Sequence, residues 1–207
     1  MLQCLATTTL RIKAMKSRAV HLAGPAPAED DPYLRANTSL RDRYARALWR
    51  LVYVIAFRPS PRPLHAWRVW LLRLFGAELG ANCHIYPGAE VWAPWNLRCE
   101  DVVAIADGAI IYNPSPVSIG SHAVVSQQAY LCGASHDYRH PSFPMVVAPI
   151  RIGRRAWICA RATVQMGVTV GEGTVLALGA VAPRDLAPWT VYAGVPARPV
   201  GKRPHAP

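Results

Sequence analysis

The residues of this chain best suited to acid–base or nucleophilic chemistry are its seven histidines and five cysteines. One histidine stands in the string Ser135-His136-Asp137-Tyr138, at the point where a regular sequence repeat breaks off. A neutral imidazole at the base of a loop can accept a proton near pH 7 and act as a general base. By residue type alone, His136 more often indicates an ordinary surface-loop histidine, so a catalytic role needs a second argument.

The cysteines offer no comparable pattern. Cys4, Cys83, Cys99, Cys132 and Cys159 form an odd set with no C-x-x-C pair, which indicates neither a zinc ribbon nor a disulfide framework. We therefore expect free, mostly buried thiols in a reducing, cytoplasmic compartment. No covalent acyl-cysteine step is predicted.

The element that must position His136 is a repeat with a period of six residues. Stepping in sixes from Leu79, with two shifts of phase, selects 14 positions, of which 13 are Leu, Ile or Val. These three types make up only 48 of all 207 residues, so the period does not arise by chance. The positions are Leu79, Ile85, Val91, Leu97, Val103, Ala109, Ile119, Val125, Leu131, Ile152, Ile158, Val164, Val170 and Leu176.

A second inward position, four residues after each aliphatic one, carries small or β-branched side chains. It is broken at Trp95, Asp101, Asp107 and Asn113 and is otherwise filled by Cys83, Ala89, Ala123, Ala129, Ser135, Ala156, Ala162, Val168, Thr174 and Ala180. Glycine follows the aliphatic residue four times, where we expect bends with φ values reserved for glycine. These glycines are Gly80, Gly120, Gly153 and Gly171.

The repeat predicts the fold class. A hexapeptide is too short to bury its own apolar side chain, so short parallel strands must stack as an all-β solenoid with aliphatic residues in the lumen. A β-sandwich would show period-two alternation instead. We predict the solenoid over 77–200, with a loop excursion at 137–149 and a C-terminal tail at 201–207.

Two different segments precede the solenoid. Residues 1–37 lack sustained periodicity and a secretory signal, which predicts a flexible extension. Residues 38–76 predict amphipathic helices: Ser39 caps the first, whose apolar face is Leu48, Leu51, Val52 and Ile55. Such Arg-laced, aromatic helices can cap a domain or lie on an anionic membrane surface, and both roles stay open for residues 39–76.

Composition and charge narrow the function classes. The chain is 52% hydrophobic and 17% charged, which excludes disorder, and its 19 prolines and 14 glycines argue against a helical bundle. The net charge of +11 is concentrated in the first third, where residues 1–76 carry 13 basic and 4 acidic side chains. The repeat region has neither a nucleic-acid-binding motif nor a stacking platform, so we expect no nucleic-acid partner.

Several strings point to a known family. They are FRPSPRPLH at 57–65, IYP at 85–87, WAPWNL at 92–97, SHDY at 135–138 and AGVPARPV at 193–200. Together they resemble the hexapeptide-repeat acyltransferases, and most closely the colanic acid biosynthesis O-acetyltransferases, which are relatives of the galactoside and maltose acetyltransferases. The resemblance runs from about Phe57 to Lys202.

This resemblance implies a left-handed parallel β-helix and an acetyl-CoA-dependent O-acetyltransferase that requires no metal. The implied acceptor is a sugar hydroxyl of a bacterial exopolysaccharide or lipid-linked saccharide precursor. His136 would take the proton of that hydroxyl and return it to the leaving thiolate, without an acetyl-enzyme. The resemblance also implies a homotrimer with active sites between subunits. The cysteine usage and the helices at 39–76 predict a cytoplasmic location, with a peripheral position at the inner face of the membrane left open.

The resemblance further implies two sets of binding residues. Acceptor contacts would come from Asn113, Asp137 and Tyr138. Asn113 before Pro114 is also typical of a turn, and Asp137 can orient the imidazole instead. Backbone beside the pantetheine arm, and basic side chains beside the CoA phosphates, would come from Trp157, Ala160, Leu178, Arg184, Arg198 and Lys202. The chain departs from the family at Cys159, where the matching string has glycine.

Two other functions are compatible with a β-helix. A γ-type carbonic anhydrase needs three histidines that converge on zinc, and His122, His136 and His140 are available, but their spacing does not resemble that family. A non-catalytic scaffold is the alternative of a different class. Replacing His136 with alanine in an acetyl-CoA thiol-release assay distinguishes the scaffold from the enzyme.

Overall fold

The computed structural model describes residues 20–21 and 39–204, and most of it is a coil of short β-strands that follows two helices. Helix α1 spans Leu40–Val52 and continues as a π-helical turn at Tyr53–Phe57; helix α2 spans His65–Leu74, and a 3₁₀ turn occupies Pro94–Asn96. The strands are β1 Val20–His21, β2 Glu78–Leu79, β3 His84–Ile85, β4 Glu90–Val91, β5 Leu97–Cys99, β6 Ala104–Ile105, β7 Ile110–Tyr112, β8 Val117–Ile119, β9 Val124–Val125, β10 Tyr130–Cys132, β11 Ala134–His136, β12 Met145–Val147, β13 Ile150–Ile152, β14 Trp157–Ile158, β15 Thr163–Gln165, β16 Thr169–Val170, β17 Val175–Leu176, β18 Val181–Ala182, β19 Thr190–Ala193 and β20 Arg198–Lys202.

Three parallel sheets form the sides of a prism, which confirms the predicted solenoid. The first side contains β2, β5, β8, β13 and β16; the second contains β3, β6, β9, β14, β17 and β19; the third contains β4, β7, β10, β15 and β18. Strand β20 closes the second side antiparallel to β19. The first corner joins sides one and two, the second corner joins sides two and three, and the third corner returns to side one.

The lumen is filled as the repeat predicted, but the predicted phase is wrong between Val91 and Ile119. The partners of Leu79, Ile85 and Val91 in the next coil are Cys99, Ile105 and Ile111, which are 20 residues further along the chain. Leu97, Val103 and Ala109 occupy the second inward position instead, and they are buried there. The 3₁₀ turn lengthens the third corner and advances the phase by two residues.

This shift removes the apparent exceptions to the small-residue position. Asp101 and Asp107 lie at corners, where each carboxylate accepts a hydrogen bond from the preceding coil, from the backbone N–H of Ala81 and of Gly88 respectively. Ser135, predicted to face the lumen, is exposed. It belongs to a hairpin outside the prism.

The glycines at the first corner are required for a reason other than the predicted one. None of them has a positive φ. A Cβ on Gly171 would lie 2.5 Å from the Pro188 nitrogen, and one on Gly153 would lie 2.6 Å from the Glu172 nitrogen. The backbone of the next coil passes too close for a side chain, so packing rather than conformation selects glycine here.

The third corner is expanded in three successive coils. It contains residues 92–96 after β4, residues 113–116 after β7, and a hairpin built from β11 and β12 after β10. In this hairpin His136 pairs across the antiparallel ladder with Met145. The excursion therefore begins at residue 133 and not at 137, because the chain leaves the prism immediately after β10.

A third strand completes the hairpin sheet. Strand β1 pairs antiparallel with β12, matching Val20 with Val147 and His21 with Val146. The predicted flexible extension over 1–37 thus contains one short strand at residues 20–21. The rest of that predicted extension lies outside the described residues.

The two helices close the start of the prism, and Ser39 caps α1 as predicted by accepting a hydrogen bond from the Asp42 N–H. Of the predicted apolar face, Leu48, Leu51 and Ile55 are each more than half exposed, and Val52 is partly buried against the core. The buried face is aromatic and follows a four-residue step: Trp49, Tyr53 and Phe57. No helix in residues 39–204 is long and apolar enough to cross a membrane.

One buried arginine fixes the proline-rich loop between the helices. The Arg68 guanidinium donates to the backbone oxygens of Ile85, Pro61 and Arg62 and to the Ser60 hydroxyl. These bonds tie α2 and the loop to the first coil. The side chain is fully buried, and burial lowers its pKa.

The described cysteines are free thiols, as predicted: Cys83, Cys99 and Cys159 are buried and Cys132 is half-buried. Burial raises the pKa of the first three, and raises that of Cys99 well above its ordinary value. Cys4 lies outside the described residues.

Candidate active site

The hairpin at the third corner holds His136 in a defined orientation. The imidazole Nδ1 lies 3.0 Å from the Phe143 backbone oxygen, and the ring stacks on the Phe143 ring at a centroid distance of 4.5 Å and an angle of 5°. A carbonyl oxygen only accepts hydrogen bonds, so Nδ1 must carry the proton. In the neutral ring, Nε2 is then the basic atom, on a half-buried side chain.

The local sequence folds the hairpin tip by short-range hydrogen bonds. The Asp137 N–H donates to the Pro144 oxygen, and the Asp137 carboxylate accepts a bond from the Arg139 N–H at 3.1 Å. Asp137 therefore orders the turn beside His136. Tyr138 is 74% exposed, with its ring available to a neighbouring molecule.

Asn113 has a different environment from the one its predicted role requires. Its side-chain Nδ2 donates to the Ala93 oxygen at 2.8 Å, and its Oδ1 accepts from the Ala93 N–H at 2.9 Å. The residue is fully buried. This geometry does not support acceptor binding, because both ends of the amide join two expanded corners of adjacent coils.

An aromatic wall that the sequence did not reveal supports the hairpin. Tyr112 packs against Ala134, Met145 and Val147 at its base, and its ring meets Trp92 edge-to-face at 5.4 Å. Burial raises the pKa of Tyr112, so its hydroxyl stays protonated. The sequence signal for this wall is that Trp92 and Tyr112 stand in one outward-facing column on the third side. The wrong repeat phase after Val91 hid this column.

Four of the predicted CoA-binding residues lie along the second corner. Ala160 and Leu178 occupy this corner in successive coils, where the Gly179 N–H donates to the Ala160 oxygen. Trp157 lies on the adjoining strand and donates from Nε1 to the Ser126 hydroxyl at 2.9 Å. Arg198 begins β20 and pairs with Ala193. The turn immediately before Arg198 is hydrogen-bonded to β18. Trp157 and Leu178 are 45% and 73% exposed.

The other two predicted phosphate contacts lie elsewhere. Arg184 follows β18 at the third corner, the same corner as the His136 hairpin. Lys202 ends β20, and its ammonium group donates to the Thr190 hydroxyl at 3.0 Å. Within one chain the structure thus separates the His136 corner from the corner that carries Trp157, Ala160, Leu178 and Arg198.

The histidines in the described part of the chain do not assemble a metal centre. Among residues 20–21 and 39–204, no group of three His, Cys, Asp or Glu side chains could hold an ion. His122 Nδ1 contacts the Ser121 hydroxyl, and His140 Nδ1 contacts Ser142. The carbonic anhydrase alternative therefore has no zinc site in the described part of the chain.

Two curated proteins are similar to this chain in sequence. The chain is 37% identical over 156 residues to WcaF of Escherichia coli (strain K12), whose name assigns it to colanic acid biosynthesis as an acetyltransferase, and the match covers 75% of this chain and 86% of WcaF. It is 31% identical over 121 residues to the galactoside O-acetyltransferase of the same organism, covering 58% of this chain and 53% of that one. No family model matches the chain.

A solved structure shares the fold. The hexapeptide-repeat acetyltransferase VCA0836 from Vibrio cholerae superposes with a TM-score of 0.72 at 26% identity, covering 81% of this chain and 96% of that one. The same protein complexed with acetyl-CoA superposes with a TM-score of 0.72 at 24% identity, covering 82% and 93%. Because WcaF matches over most of its length and the coil is shared, the chain belongs to the hexapeptide-repeat acetyltransferases, with their left-handed β-helix.

Proposed function

We propose that the chain transfers the acetyl group of acetyl-CoA to a saccharide hydroxyl, with His136 Nε2 as the general base. The observation that carries this proposal is the Nδ1 contact with the Phe143 oxygen, which leaves Nε2 as the basic atom of a positioned ring. The relatives' names supply the reaction class, an acetyl transfer.

The proposed reaction needs one base and no covalent enzyme intermediate. The acceptor oxygen attacks the thioester carbonyl carbon while Nε2 takes the hydroxyl proton. The tetrahedral intermediate then collapses, the carbon–sulfur bond breaks, and the imidazolium returns its proton to the thiolate. The products are an acetyl ester and CoA with a free thiol. General-base help of this kind contributes about 10²–10⁴-fold in rate.

The donor site is proposed at the second corner, along Trp157, Ala160 and Leu178, with Arg198 at its basic end. The acetyl-CoA complex of the Vibrio protein supports a CoA donor for this fold. An exposed arginine can make bidentate contacts with a nucleotide phosphate, which suits Arg198. Lys202 and Arg184 belong to the proposal as secondary phosphate contacts, reached by side-chain movement or from another subunit.

The proposed assembly is a homotrimer with each active site shared by two subunits. The support is the separation of His136 and the Trp157 corner on different edges of one prism. If the sites are shared, mixing inactive His136→Asn subunits with inactive Trp157→Ala subunits restores part of the activity. Activity that stays absent after subunit exchange would contradict shared sites.

The proposed location is the cytoplasmic face of a membrane. The exposed face of α1 and its π-helical turn carries Leu48, Leu51 and Ile55, and α2 adds a stacked Trp67–Trp70 pair that is 40% and 51% exposed. Residues 39–76 contain eight arginines, of which Arg68 is buried, and one aspartate, so the net positive charge of this segment complements anionic lipid. We expect flotation with vesicles containing phosphatidylglycerol, lost on changing the three aliphatic residues to glutamine, and no flotation with neutral vesicles.

The test of the catalytic proposal is His136→Asn. The asparagine amide can still donate to the Phe143 oxygen, so the hairpin is retained while the base is lost. We expect acetyl transfer to a saccharide panel, followed by CoA thiol release, to fall by about 10²–10⁴-fold with an unchanged unfolding midpoint. His140→Asn on the same hairpin is the matched control and keeps wild-type activity. A His136→Asn enzyme within threefold of wild type would refute the role of the base.

A further inference from the structure

A cavity of about 440 Å³ lies between α1 and the outer face of β4 and β7. Its size falls within the range of small-molecule sites. It lies outside the base and donor sites proposed above. It is lined by Arg43, Arg46, Ala47, Trp49, Arg50, Tyr53, Glu90, Val91, Trp92, Ile110 and Tyr112.

One wall of this cavity is strongly cationic. Arg43, Arg46 and Arg50 recur at three- and four-residue steps, so one face of α1 presents all three guanidinium groups. Only one carboxylate, Glu90, lines the cavity with them. Arg46 stacks on the Trp92 ring, with its guanidinium carbon 4.3 Å from the ring centroid. Guanidinium groups in such an array suit the bidentate recognition of phosphate.

A buried hydroxyl on the same face provides an independent observation. Tyr53 is only 2% exposed, and within residues 39–204 no partner accepts or donates a hydrogen bond at its oxygen. Burial and the nearby Glu90 carboxylate raise the pKa of Tyr53, so the hydroxyl keeps its proton and stays a donor. A buried polar group without a partner is costly, and Tyr53 lines the cavity, so a small shift of its ring would let the hydroxyl donate to an anionic oxygen bound there.

The opposite wall connects the cavity to the hairpin of the base. Trp92 meets Tyr112 edge-to-face, and Tyr112 packs against Met145, the residue that pairs with His136 across the hairpin. The cavity therefore shares its Trp92–Tyr112 wall with the hairpin that carries His136. Apolar and aromatic walls with a few polar groups are typical of small-molecule sites.

We infer that this cavity is a subsite for the phosphate or diphosphate group carried by the saccharide acceptor. The inference rests on the proposed transferase function and specifies its substrate class as a phosphate-linked saccharide. The diphosphate can belong to a lipid-linked or a nucleotide-linked sugar, because both present the same chemistry to the arginines. Tyr53 and the three arginines become specificity-determining residues for the acceptor.

The first test is calorimetric binding of inorganic pyrophosphate to the full chain in the presence of saturating CoA. We expect the double variant Arg43→Gln/Arg50→Gln to bind pyrophosphate at least about tenfold more weakly. The reason is that a hydrogen bond between a guanidinium group and a phosphate oxygen is stronger than one between neutral groups. Arg98→Gln/Arg151→Gln removes the same charge from the first side of the prism and leaves binding unchanged. No measurable pyrophosphate binding under saturating CoA, or equal affinities for both double variants, would overturn the inference.

Tyr53→Phe separates ligand binding from folding. It removes the unpartnered hydroxyl and keeps the ring in the aromatic cluster, so the unfolding midpoint does not fall. We expect pyrophosphate affinity to fall about three- to tenfold. An unchanged affinity would show that the hydroxyl does not contact the ligand and would refute its part in the subsite.

The source of the phosphate and the link to catalysis are tested together. UDP-glucose and detergent-solubilised farnesyl diphosphate are each titrated against bound pyrophosphate. Tighter competition by UDP-glucose identifies a nucleotide-linked saccharide as the acceptor, and tighter competition by farnesyl diphosphate identifies a lipid-linked one. Failure of both to compete overturns the inference. His136→Asn binds pyrophosphate normally but does not turn over, so loss of the subsite and loss of the base give different results.

Discussion

Replacing Asn113 with alanine tests whether this residue binds the acceptor or holds two coils together. The change removes both hydrogen bonds to Ala93 and leaves its buried N–H without a partner, while its carbonyl keeps the bond from the Asn96 N–H. The orphaned N–H costs about 1–3 kcal/mol and the second lost bond about 1 kcal/mol, so we expect about 2–4 kcal/mol of lost stability. For a chain of this size that corresponds to a fall of about 5–15 °C in the unfolding midpoint.

The assay pairs thermal unfolding at fixed protein concentration with acceptor kinetics well below the midpoint. We expect a lower midpoint and an acceptor KM within about twofold of wild type, since the amide is not exposed to a ligand. Asn96→Ala is the matched control: Asn96 donates to the backbone oxygens of Asn113 and Pro114 from a half-buried position and should cost about 1–2 kcal/mol. Wild-type stability with a tenfold higher acceptor KM would refute the structural role.

Three further substitutions test the scaffold. Arg68→Met should lose at least about 3 kcal/mol in denaturant unfolding because buried carbonyls lose a charged donor, whereas Arg62→Met, whose ion pair is exposed, should lose less than about 1 kcal/mol. Gly171→Ala should cost about 1–3 kcal/mol through its clash with the next coil, and Gly201→Ala, with open space around it, almost nothing. Burial raises the pKa of Cys99 in the folded state, so above pH 9.0 the folded thiol keeps its proton while the unfolded thiol ionises. The unfolding free energy of the wild type should therefore fall with rising pH. Its slope should be steeper than that of Cys99→Ala by about 1.4 kcal/mol per pH unit. Equal slopes would contradict this.

The period of six allowed the solenoid and most lumen residues to be predicted, because every coil must bury its aliphatic side chain against the next one. The phase over residues 92–119 could not be predicted in the same way. Leu97 and Cys99 are both apolar and two residues apart, so both face inward, and only strand pairing shows which one is central. Because of the same ambiguity, the sequence did not show that Trp92 and Tyr112 stack in one outward-facing column.

The helical segment shows a second limit. Leu48, Leu51 and Ile55 have the spacing of a buried stripe, yet the adjacent aromatic stripe is the one that packs against the prism. Helix α1 carries an aliphatic and an aromatic face that lie side by side. Which of the two is buried depends on which one fits the surface of the prism. The Trp49 indole, which donates to the Val91 oxygen, favours the aromatic face.

By itself, the sequence determined the fold class, the family resemblance and His136 as the candidate base, since these depend on residue types at fixed spacing. The tertiary structure decided which imidazole nitrogen is basic, that Asn113 is a buried tie, and that an arginine-lined cavity lies beside the hairpin. These features are contacts between residues that lie far apart in the chain or in a hairpin outside the repeat. Their distances depend on how corners of different length stack, which local spacing does not specify.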